Sequence, residues 1–155
     1  TDLHADRIGH AFYLYSDDKV EDPEITDREA YTQSLVQYIA DRRVTLEICL
    51  TSNMQTIPSI KNLEDHTLRK MLAQRQSTTF CTDNRTVSHT TVTNEIMKAV
   101  EHVGLTESEM RNSIIYGFKR SFFPEGYAHK RAYVRQIIDY YDAVEQEFGM
   151  GVDQG

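Results

Sequence analysis

The sequence is poor in several features, and each shortage closes off a class of protein. Its 155 residues hold two cysteines, Cys49 and Cys81, too few for a disulfide scaffold or a four-cysteine zinc module. No apolar run approaches the roughly 20 residues of a membrane helix, and no secretory leader is recognised at the start. A soluble, cytoplasmic protein without a membrane partner is therefore expected. Lys and Arg total 17 against 24 Asp and Glu, a net charge of −7. This argues against a nucleic-acid partner, because a phosphate backbone calls for a basic face. Repeats, low-complexity stretches and Gly/Ser linkers are absent. Seven glycines and three prolines fit compact elements with short connections. What is present suits one globular domain, with 39% hydrophobic and 26% charged residues, enough to bury a core.

The first half alternates short apolar runs with helical patterns. A run over 6–12 opens the chain, followed by a charge-rich segment at 16–28 that reads as a solvated loop, a lid or a contact surface. A helix is expected over 27–42, with Asp27 as N-cap and Tyr31, Leu35, Val36 and Ile39 on its inward face. The β-branched run 44–50 reads as a strand ending in the turn residues Thr51-Ser52-Asn53. A helix over 62–74 and a strand over 77–81 follow, the latter ending in Thr82-Asp83-Asn84. Strand–helix–strand order implies parallel pairing.

The second half is helical. Val92, Ile96, Met97, Val100 and Val103 form one stripe that stops at Gly104. Thr106 opens a helix with Met110, Ile114, Ile115 and Phe118 inward, and a last helix covers 127–148. The aromatic residues Tyr116, Phe118, Phe122, Phe123 and Tyr127 are expected to pack these terminal helices. Residues 149–155 read as a flexible tail.

Three polar residues share one kind of position. His10, Asn53 and Asp83 each follow an apolar run just before the chain turns toward a helix. In parallel α/β folds, sites are built at the carboxyl ends of strands. Each residue alone has an ordinary explanation, as a satisfied polar group, a loop cap or an N-cap. Together they outline one wall of a site. Three parallel strands cannot close a barrel and leave two open edges, which suggests a segment of a larger fold.

The residues Arg7-Ile8-Gly9-His10-Ala11, Glu47-Ile48-Cys49-Leu50-Thr51-Ser52-Asn53 and Thr82-Asp83-Asn84 resemble, in order, three strand-end motifs of the adenosine deaminase family of zinc aminohydrolases. The resemblance covers nearly the whole chain. It implies an α/β fold, the C-terminal half of a TIM (β/α)8 barrel comprising strands 6–8 followed by terminal helices, within residues 1–148. It also implies Zn2+-dependent hydrolytic deamination of a purine nucleoside, adenosine by default, in purine salvage. Adenine and 6-amino-6-deoxyfutalosine are alternative substrates. By resemblance, Asp83 is the metal ligand, His10 polarises the attacking water, Asn84 contacts purine N7, and Gly9 lets the backbone approach the substrate.

The chain departs from the family pattern in what it omits. Its six histidines, His4, His10, His66, His89, His102 and His129, include no His-x-His pair, and the family's proton-shuttling glutamate has no counterpart. Zinc catalysis normally uses three or more protein ligands. The chain alone is therefore expected to be inactive and to need the N-terminal barrel half as partner, in the same or a second chain. A competing reading is an inactive half-barrel that serves in assembly. Asn84 stands where many members have Asp, and an amide donates to N7 without needing protonation. Glu47 is expected to pair with a cation or a backbone amide, Cys49 and Cys81 to be buried small residues, and His89 and His102 to lie on the surface of the helix after Asp83.

Overall fold

The computed structural model describes residues 5–149. Of the tail expected over 149–155, all but Gly149 lies outside the described residues. Three short runs form strands: β1 (Arg7–Gly9), β2 (Thr45–Ile48) and β3 (Ser77–Phe80). They lie in the order β1-β2-β3 and pair parallel, with Arg7 opposite Thr45 and Thr45 opposite Ser77. The alternation in the sequence foretold this pairing. Helices α1 (Arg28–Arg42), α2 (Leu50–Thr56) and α3 (Leu68–Ala73) lie in the crossovers.

Local chemistry sets the helix limits. Asp27 Oδ1 accepts the Ala30 N–H at 2.9 Å, so α1 starts where the cap predicts. Its buried face is Thr32, Val36 and Ile39. Tyr31, expected inward, is exposed instead, because it lies one position off that stripe. The helix expected over 62–74 is broken. A single 3-10 turn, Leu63–Asp65, precedes α3, and the His66 ring Nδ1 accepts the Leu68 N–H at 3.0 Å. The side chain of His66 thereby satisfies one of the free donors at the start of α3.

The turn expected at Thr51-Ser52-Asn53 is also different. These residues form the first turns of α2, and Ser52 and Asn53 are buried. The strand stops sooner than its apolar run, and Leu50 becomes the first helical residue.

Four helices complete the chain: α4 (Arg85–Ser88), α5 (Val92–Val103), α6 (Glu107–Lys119) and α7 (Tyr127–Glu147). Gly104, at φ 68°, ends α5 as the sequence suggests, and a Thr106/Glu109 capping box opens α6. Only part of the expected stripe of α5 faces inward: Ile96 and Val103 pack against the core. Glu95 and Ala99 are buried, whereas Val92, Met97 and Val100 are 40–49% exposed. Glu95 has no exposed surface, and its carboxylate accepts the Thr51 N–H at 3.0 Å, the Thr90 hydroxyl at 2.7 Å and the Thr51 hydroxyl. Capping α2 from a neighbouring helix outweighs burial of Val92 and Met97, since a backbone donor left unpaired inside costs about 1–3 kcal/mol.

The core lies between sheet and helices and comprises Ile39, Leu46, Ile48, Leu50, Leu68, Met71, Phe80, Ala99 and Leu105. Helix α6 covers β3 closely, with Ser113 Oγ 3.0 Å from Thr78 Oγ1. Phe118 and Phe123 pack on Tyr133 of α7, but Phe122 and Tyr127 stand in solvent. The aromatic group is thus only partly a packing element.

Candidate active site

The carboxyl ends of the strands carry the polar residues singled out above. β1 runs into His10 and Ala11, at φ 62° and 50°, and β3 leads to Asp83 at φ 54°. Left-handed backbone at non-glycine residues costs of order 1–3 kcal/mol and gathers at functional sites. Here it occurs at both residues that face one another. His10 Nε2 lies 3.8 Å from Asp83 Oδ2, and both side chains are a little over two-fifths exposed. Ser52 Oγ donates to the same Asp83 oxygen at 2.7 Å. Asn53, which has almost no exposed surface, has Nδ2 3.3 Å from His10 Nδ1 and Oδ1 3.2 Å from His66 Nε2.

These groups border a cavity of about 560 Å3 lined by Ile8, Gly9, His10, Phe12, Leu35, Ile39, Ser52, Asn53 and Asp83, among others. It combines apolar walls with a few convergent polar groups, the usual make-up of a small-molecule site. A cleft of about 620 Å3 lies at the opposite strand ends, lined by Arg43, Arg75, Lys119 and Arg120. Its cations sit at the ends of α1, α3 and α6, where they offset the carbonyl ends of the helices, so it needs no ligand to explain it.

The other sequence candidates are placed as follows. Asn84 caps α4, its Oδ1 accepting the Val87 N–H at 3.1 Å, which leaves the amide hydrogens of Nδ2 for another acceptor. A side chain at Gly9 would meet nothing within 4 Å, so crowding within the described residues does not require glycine there. Glu47 pairs with Arg7 at 2.6 Å, as expected. Cys49 is buried and its thiol is pushed up to about 12 by that burial. Cys81 is only partly buried and its thiol is also raised, chiefly by burial. His89 is exposed but sits in the turn before α5, not on it, and His102 on α5 pairs with Glu64 at 3.0 Å.

Sequence reasoning passed over Ser52 and His66. Ser52 looked like loop chemistry, and a lone histidine in an amphipathic stretch carries no periodic signal. A clue was available in the apolar residues Leu63 and Leu68 on either side of His66, which mark an inward position.

His10 and Asp83 suit a metal-assisted hydrolytic site by residue type. They do not make one unaided: among the described residues no three His, Cys, Asp or Glu side chains gather closely enough to hold a metal ion. Also among the described residues, no helix is long and apolar enough to cross a membrane.

Comparison with known proteins gives consistent findings. Residues 1–140 match the family profile described as adenosine deaminase. The chain is 35% identical to an adenosine deaminase of Mycobacteroides abscessus over 121 residues, covering 77% of this chain and 32% of that protein. It is 33% identical to an adenosine deaminase of Vibrio atlanticus over 138 residues, 88% of this chain and 37% of that protein. Among solved structures, an adenine deaminase from Arthrobacter aurescens shares the fold with a TM-score of 0.66 at 21% identity, covering 90% of this chain and 37% of that one. The N6-methyl-AMP deaminase of Arabidopsis thaliana superposes with a TM-score of 0.61 at 26% identity, covering 90% and 35%. The chain thus spans about a third of the length of the relatives it matches.

Proposed function

The chain belongs to the adenosine deaminase family, and from that premise we propose that it forms part of an enzyme that hydrolytically deaminates a 6-aminopurine nucleoside, adenosine by default, in purine salvage. Residues 1–148 then correspond to strands 6–8 of a (β/α)8 barrel and its terminal helices, and the cavity at the strand ends is one side of the active-site mouth. The observation that carries this reading is the meeting of His10 and Asp83 at 3.8 Å, both on left-handed backbone, within segments that resemble the family's motifs.

Deamination adds water at purine C6 and expels the amino group as ammonia. Asp83, with ligands from outside the described residues, would hold a divalent zinc, which supplies a water acidic enough to serve as nucleophile near neutral pH. The remaining work falls to side chains. The Asp83 carboxylate, fixed by Ser52 Oγ, is placed to accept a proton. The His10 ring beside it can hydrogen-bond to the attacking water and to the oxygen it becomes. Asn84 keeps its amide hydrogens free of its capping bond and can donate to purine N7. The absence of a charge at this amide makes that donation independent of pH. Gly9, open on its surface, lets the substrate lie against the backbone.

The test is ammonia release by the zinc-loaded full-length protein with adenosine, adenine and 6-amino-6-deoxyfutalosine offered separately. Turnover of one of them supports the proposal and names the substrate. A folded, metal-loaded protein that releases ammonia from none of the three contradicts it.

A further inference from the structure

We infer that His66 and Asn53 are positioning residues that lock the His10 ring in one orientation and one tautomer, with its proton on Nε2 toward Asp83. The inference rests on the reading of His10 as an active-site residue and adds to it a device that sets which hydrogen bonds His10 can make.

One group in this series has no choice of role. The Leu68 backbone N–H can only donate, and it donates to His66 Nδ1 at 3.0 Å. His66 Nδ1 is therefore unprotonated, and the proton of the neutral ring sits on Nε2. That Nε2–H faces Asn53 Oδ1 at 3.2 Å. The reverse setting of the Asn53 amide would turn an NH2 group against a ring N–H, a donor against a donor. With its oxygen toward His66, Asn53 presents Nδ2 to His10 Nδ1 at 3.3 Å. His10 Nδ1 must then accept, so its proton also lies on Nε2, the nitrogen 3.8 Å from Asp83 Oδ2. One backbone donor thus sets the direction of every bond in the series.

The two intermediate residues are suited to transmit this order. His66 and Asn53 are 3% and 2% exposed, so water does not compete for their polar atoms. Asn53 is held on α2, and the Phe12 ring lies edge-on to His66 at 5.4 Å. Burial also lowers the His66 pKa to about 4, so the ring stays neutral across the working range. His10, in contrast, has a side chain 42% exposed. Without the Asn53 anchor its ring could flip and present carbon to Asp83.

The consequence is chemical. In this state His10 gives a hydrogen bond to whatever occupies the space before Asp83. Proton acceptance falls to the carboxylate, while His10 donates to the oxygen on which charge develops.

The test reads tautomers directly. Ring-15N-histidine-labelled full-length protein is studied by long-range 1H–15N correlation, with His10 and His66 assigned through single-site variants. Both rings are expected to show protonated Nε2 and unprotonated Nδ1. A His10 ring protonated on Nδ1, or averaged between tautomers, overturns the inference without any variant. In Asn53→Asp the amide donor becomes an acceptor, and the His10 proton is expected to move to Nδ1 while His66 stays as it was. An unchanged His10 spectrum in that folded variant also overturns the inference. His66→Leu should average the His10 signals, and His66→Gln, which keeps a donor at the same place, should restore one tautomer. In the assay, Asn53→Asp is expected to lower kcat roughly tenfold with little change in KM, the pattern of a lost transition-state interaction. Deamination is not needed for the tautomer readout. A protein with the expected tautomers and no turnover would refute the proposed function alone, and an active protein with the other His10 tautomer would refute the relay alone.

Discussion

At His66, burial keeps an imidazole uncharged. Its folded pKa, about 4, lies below the ordinary 6.5. The unfolded chain therefore binds more protons between those values, and stability is full above 6.5, falls as the pH drops through the window, and levels off below 4. Linkage puts the loss between pH 7 and pH 5 at about 2 kcal/mol from this one group. Urea unfolding of the wild type and His66→Gln at both pH values checks it, and the variant should lose most of the difference. The positions of His10 and Asp83 just past a strand were legible in the sequence because each follows an apolar run, whereas Asn53, read as part of a turn, lies inside α2. His66 was not legible, because its importance lies in two contacts distant in the sequence. The left-handed backbone at His10 was hidden for a related reason: histidine enters that region more often than most residues, yet only in a small minority of cases, so the residue type alone does not signal it.

At the next scale, helix limits were readable where a cap marks them, since caps are local. Asp27, Gly104 and Thr106 act where they were expected to. Helix faces were less readable. Of the stripe Val92, Ile96, Met97, Val100 and Val103 on α5, Ile96 and Val103 pack against the core, but Val92, Met97 and Val100 are exposed and the buried Glu95 beside them serves α2. No periodicity of apolar residues can forecast that an acid will be inside. Element packing gives a sharp expectation at Gly117 of α6. A Cβ there would come within 2.5 Å of Thr79 Oγ1 on β3. Gly117→Ala should therefore destabilise the protein by about 1–3 kcal/mol despite alanine's better helix propensity. Adding Thr79→Ala should recover part of that loss, a coupling that a double-mutant cycle by urea unfolding measures.

For the whole molecule, strand order and parallel pairing followed from the alternation of strand and helix, whereas the open edges raised the question of what completes the fold. Among the described residues, β1 and β3 each pair on one side only, and unpaired edges invite association. The isolated 155-residue chain is expected to self-associate with rising concentration in sedimentation velocity, to bind zinc weakly and to release no ammonia from adenosine. Monodisperse, active chain would contradict the half-barrel reading. Such association alone would also fit an inactive assembly module, whereas a deaminase site needs Asp83 and His10 to work together. The most direct test is the rate of ammonia release from adenosine by the zinc-loaded full-length protein and its Asp83→Ala variant. Turnover is expected of the wild type, with a loss of roughly a hundredfold or more in the variant, the scale of a missing catalytic acid or base. A folded Asp83→Ala protein that turns over like the wild type would contradict that joint role.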